Sequence, residues 1–161
     1  MQILTNQLKT TFDHSMKTLE QILDYPIAAW SSGSPPIWNH FLHTLMGTEF
    51  WIREDYDKPF AFSLNLSEKY APLYEESWFP ENFEAPDITT AREYFNAVSS
   101  KANKVFSAIT DETLTEKPWQ NADLSYLEII NGQIRHIMHH AGMIAQILET
   151  NGFDELPWIG C

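Results

Sequence analysis

Five of the chain's six histidines fall in two short segments, His40 and His43 in the first and His136, His139 and His140 in the second. Imidazole offers a neutral nitrogen lone pair to transition metals near neutral pH, so this clustering raises metal chemistry first. On a helix turning about 100° per residue, His136 and His140 lie within roughly 40° of each other, one turn apart. His139 points to the other side of His136 and is expected to be exposed or to play a supporting part. Two imidazoles rarely hold an ion, so a third ligand has to come from elsewhere in the fold. His43, which shares its direction with Met46 and Phe50, can supply it, and so can His40, which lies with Thr44, Gly47 and Trp51. Helical geometry does not choose between them.

Non-metal readings carry weight too. A lone HxxxH pair is more often a set of satisfied polar contacts or a surface feature than a metal clamp. A further histidine pair on a separate, strongly apolar segment shifts the balance toward metal, because an unpaired buried imidazole costs free energy. His14, beside Asp13, reads as a surface residue.

The elements that must carry these residues are helical. Leu4, Leu8, Phe12, Met16, Leu19 and Leu23 form one stripe over residues 2 to about 25, and Pro26 ends the run. After the turn Ser31-Ser32-Gly33, Ser34 reads as an N-cap with Pro35 in the first helical position, which predicts a second helix over about 35 to 54. That segment is apolar nearly all round, as a central helix is. Asp87 reads as the N-cap of a third helix over about 88 to 110, striped by Ala91, Tyr94, Val98, Ala102, Val105 and Ile109. A fourth, from about Leu124 to Thr150, carries Leu127, Ile130, Ile134, Ile137, Ala141, Ile144 and Leu148, and Asn151-Gly152 closes it. Between the second and third helices, from Asp55 to about Pro86, no period persists, and four prolines and many aromatics predict a packed crossover with a helical turn near 67 to 77. The fold class expected is all-α: one four-helix bundle over residues 1–161 with a long crossover between helices 2 and 3.

Composition excludes partners. With ten Lys plus Arg against 22 Asp plus Glu and a formal charge of -12, the chain has too few cations to replace phosphate counterions, so neither nucleic acid nor an anionic membrane is expected. One cysteine, Cys161, makes no internal disulfide, and no run of 18 apolar residues occurs, so a cytoplasmic protein is expected.

Two stretches resemble the DinB-like family of metal-dependent helical bundles, and the resemblance spans most of the chain. One is His43-Thr44-Leu45-Met46-Gly47-Thr48-Glu49-Phe50-Trp51-Ile52, similar to a family segment in which a ligand histidine precedes an aromatic by about eight residues. The other, from Arg135 to Ile144, resembles the family's last-helix HxxHH motif followed by small and apolar residues. Matched residue by residue, the resemblance assigns the metal to His43, His136 and His140 and leaves His40 as the alternative ligand. It further implies a divalent ion, zinc or nickel, a small-molecule substrate that in several relatives involves a low-molecular-weight thiol, and a homodimer.

Three neutral ligands with an open position suit catalysis, since the ion keeps its charge and lowers the pKa of a water or thiol. Thiol transfer is the leading expectation, with a metal-dependent hydrolase, a non-catalytic metal- or ligand-binding module and a metal-free interaction protein as alternatives. An aromatic pocket built by Phe60, Phe62, Tyr70, Tyr74, Trp78, Phe79 and Phe83 belongs to the module reading. No general base is fixed by spacing. Gln133, one turn before His136, is a candidate for orienting a ligand or substrate. Glu49 and Glu128 are on the right helices for a general base, but a solvated-face or cap role suits each at least as well, and Glu49 is kept among the candidate supporting residues or alternative ligands.

Overall fold

A computed structural model describes residues 2–63, 70, 84–119 and 122–160, and the complete α-helices among the described residues are four long amphipathic or apolar ones and one short one. They are α1 (Ile3–Glu20), α2 (Ile27–Trp30), α3 (Ile37–Trp51), α4 (Ile88–Ala108) and α5 (Tyr126–Thr150). No strand occurs among the described residues, so the expected all-α class holds. In the core, α3 packs on α5 and α4, and α1 packs on the same two helices from the opposite side.

Direction follows from who meets whom. His40 and His43 of α3 meet His140 and His136 of α5 in reversed order, which makes that pair antiparallel. Phe41 stacks on Phe95, and further along both helices Glu49 pairs with Lys101, so α3 and α4 run parallel. Parallel neighbours cannot be joined by a tight turn. The chain has to travel back along a helix about 22 Å long, which accounts for the crossover between them. Within it, the helical turn expected near 67 to 77 lies outside the described residues apart from Tyr70. Tyr70 is buried against Trp38, and its hydroxyl donates to the Glu84 carbonyl at 3.0 Å.

Local chemistry fixes three of the helix ends. The Asp87 carboxylate accepts from the Thr90 amide at 2.9 Å, the N-cap expected of it. Ser125 and Glu128 form a reciprocal capping box that starts α5 at Tyr126, two residues later than the apolar pattern alone placed it. At its far end Gly152 takes φ 74°, and the amides of Gly152 and Phe153 bond back to Glu149 and Leu148.

Two boundaries and one stripe position need correction. Ser34 does not cap α3: the Pro36 carbonyl accepts the first helical amides, from Asn39 and His40, so the helix begins at Ile37, after a cis Ser34–Pro35 bond. The first helix ends at Glu20 and continues as a 3₁₀ turn over Gln21–Asp24; the separate one-turn α2, which brings Trp30 into the core, is too short to leave a period. Leu4 leaves the expected stripe and is 46% exposed, because the first turn of α1 ends the bundle, where Asp111 takes the Leu4 and Thr5 amides.

Candidate metal centre

The α3–α5 interface owes its closeness to α3. Phe41, Leu42, Leu45 and Met46 are fully buried, and each such side chain contributes about 1.5–3 kcal/mol of transfer free energy. On α5, Ile137, Ala141 and Ile144 face them from the core cluster. The histidines sit on the flank of this seam. Gly47 lets the helices meet there: a β-carbon at that position would lie 2.9 Å from His136 Cε1 and 3.2 Å from His136 Nδ1.

His43, His136 and His140 each offer a ring nitrogen within 4.8 Å of the other two, and among the described residues no carboxylate or thiol belongs to the group. The Nε2 atoms of His136 and His140 are 3.0 Å apart. His140 is buried, while His43 and His136 are half-buried. Burial first, then repulsion from neighbouring imidazoles, pushes His136 down to about 4 and His140 down to about 2. Both rings are therefore neutral at pH 7 and keep a lone pair. Two lone pairs aimed at one point repel unless a proton or a cation lies between them. With metal–nitrogen bonds of about 2.0–2.1 Å, adjacent ligand nitrogens stand about 3 Å or slightly more apart, so the donor set fits a divalent ion.

His40 lies behind this group. It is completely buried, its Nδ1 is 3.2 Å from Nδ1 of His140, and burial, with His43 and His139 adding, lowers it to about 4. His139 is exposed, with its ring beside that of His140. Gln133 is 8% exposed, and its Oε1 has no hydrogen-bond partner among the described residues. That oxygen faces the Gly47 position from the same side as His136, 3.7 Å from where a β-carbon would stand. His14 is half-buried rather than a surface residue, because the terminal segment at Gly160 lies against it.

Glu49 departs furthest from expectation. It is on neither a solvated face nor a cap: it is 1% exposed and faces α4, where Tyr94 Oη donates to it at 2.7 Å and Lys101 pairs with it. Ser63 closes the cluster through its amide at 3.0 Å and its hydroxyl at 2.6 Å, so Glu49 ties the crossover to α3 and α4 and stays out of the histidine group. A glutamate inside the apolar run Phe41–Trp51 signalled this, as did Tyr94 and Lys101, two turns apart on one face of α4. Glu128 is the capping residue, as one of its two readings had it.

A helical bundle whose central interface gathers three imidazoles fits the class of helical metal-binding proteins. The model of the DinB superfamily matches residues 6–144, and the chain belongs to that superfamily. Searches of the curated proteins and of the solved structures return no match. No helix among the described residues is long and apolar enough to cross a membrane.

Proposed function

We propose that the protein binds one divalent metal ion, zinc or nickel, through His43, His136 and His140 and uses it in catalysis on a small molecule, with transfer of a low-molecular-weight thiol as the leading reaction. The observation that carries this reading is the convergence of three imidazoles, unaccompanied by a fourth protein ligand among the described residues. When bound, a three-histidine ion lowers the pKa of a water or thiol and makes the nucleophile available near neutral pH. The chain's own residues supply the rest. His43, His136 and His140 bring three ring nitrogens within 4.8 Å of one another, and the apolar seam behind them excludes water from that side. Gln133 Oε1, buried and unsatisfied, is placed to accept a proton-bearing group beside His136, at the cost of about 1–3 kcal/mol while it stays unpaired. Hydrolysis is the second reaction of the same site. A homodimer working in the cytoplasm, without nucleic acid or membrane as partner, completes the proposal.

Elemental analysis and a thiol assay test it in sequence. The purified protein is expected to carry about one divalent ion per chain, and His43→Ala, His136→Ala and His140→Ala each to lose it. Equal content in wild type and all three variants would overturn the ligand set. With the ion in place, metal-dependent consumption of a thiol with an electrophile supports transfer, whereas ester or amide cleavage without thiol supports hydrolysis.

A further inference from the structure

We propose that His40 is a positioning residue: it accepts a hydrogen bond from Nδ1 of His140 and thereby fixes the tautomer and ring orientation in which His140 Nε2 faces the ion. This rests on the metal reading above and adds a role that the ligand set does not contain.

The two nitrogens of His140 have different surroundings. Nε2 is 3.0 Å from His136 Nε2, inside the three-histidine group. Nδ1 is 3.2 Å from His40 Nδ1, on the core side. A neutral imidazole carries one donor and one acceptor nitrogen. If Nε2 gives its lone pair to the ion, Nδ1 carries the proton, and the only consistent pairing makes His40 Nδ1 the acceptor and places the His40 proton on Nε2. One tautomer therefore dictates the other. Both rings lie at the α3–α5 seam, His40 at 0% and His140 at 1% exposure, so water does not compete for the bond.

The backbone places His40 for this role. His40 and His43 are three residues apart on α3, and the antiparallel α5 presents His140 and His136 against them. His43 meets both α5 rings at centroid distances of 5.1 and 5.0 Å, while His40 meets His140 alone among the ligands, at 5.4 Å. Ligating histidines usually give their second N–H to a carboxylate, a carbonyl or water, and such supporting bonds are worth 10–100-fold in metal affinity. Here the acceptor is a neutral imidazole. It orients the ligand without adding negative charge, so the ion keeps the acidity that three neutral ligands leave it.

The test uses zinc as the probe on the full chain. Zinc affinity is measured by competition with a chromophoric chelator for wild type, His40→Leu and His40→Asn. Leucine keeps the bulk and removes the acceptor, whereas asparagine can place Oδ1 where Nδ1 was. His40→Leu is expected to bind one zinc about 10–100-fold more weakly, with His40→Asn recovering most of that loss. Unchanged affinity in His40→Leu would overturn the proposal, and complete loss of stoichiometry, as in His140→Ala, would make His40 a ligand instead. Should His40→Leu fail to fold, long-range nitrogen–proton NMR on zinc-loaded wild type decides: His140 protonated on Nδ1 and His40 on Nε2 are required, and the reverse assignment overturns it. Wild type that binds no zinc at all would mark failure of the metal reading, a result distinct from each of these.

Discussion

Gly47 on α3 lies directly against the imidazole of His136 on α5, with no room for a β-carbon: one would sit 2.9 Å from Cε1. The missing side chain is thus what sets the ring's position. Alanine favours a helix interior over glycine by about 1 kcal/mol, so Gly47→Ala is expected to leave helicity unchanged while displacing the His136 ring. Zinc affinity falls at least about 10-fold, on the scale of a lost orienting contact. Circular dichroism and chelator competition read the two effects separately, and unchanged affinity would show that the ring position is not set by this contact.

Tyr94→Phe removes the hydroxyl that donates to Glu49 at 2.7 Å inside the core. A buried hydrogen bond to a charged group is worth about 1.5–3 kcal/mol, so the variant is expected to lose that much in denaturant unfolding. Metal content stays at the wild-type value, because Glu49 faces α4 and not the histidines. Loss of metal together with stability would mean that the two polar clusters are coupled.

Acidification of the metal-stripped protein is expected to reduce its stability. His136 and His140 have folded pKa values of about 4 and about 2, below the value of about 6.5 for an unfolded chain, so between those limits the unfolded state binds more protons. Stability therefore rises with pH across the window. It is fully present above about pH 6.5 and is lost progressively as pH falls, toward 4 for His136 and further for His140. Thermal unfolding measured from pH 7.5 to 4.5 checks the sign; a melting temperature that climbs on acidification would contradict the buried neutral rings.

Ser125→Ala breaks the capping box at the start of α5 and is expected to cost about 1 kcal/mol. The cap lies three turns from His136, so zinc stoichiometry is unaffected. Equilibrium unfolding and elemental analysis of the same sample measure both. A loss far above 2 kcal/mol would show that Ser125 does more than cap.

The sequence determined on its own that the chain is helical, where the third long helix begins and the fourth closes, and that His136 and His140 share one helical face. These follow from forces acting within a turn or two of chain: apolar spacing, the Asp87 cap, the Asn151-Gly152 close. Where a boundary was missed, as at Ser34, the first helical amides bonded to the Pro36 carbonyl instead, a choice between two adjacent prolines that pattern does not make. Periodicity left His40 and His43 equivalent, since both lie on buried directions of α3. The family resemblance favours His43, and the antiparallel placement of α5 separates the two physically, setting His43 among the clustered ring nitrogens and His40 behind His140. Glu49 needed the fold for the same reason. Its partners come from α4 and the crossover, 14 to 52 residues away in the chain, and no local rule states which buried charge meets which donor. Local physics decides what each residue can do, and contacts distant in sequence decide which residues do it together.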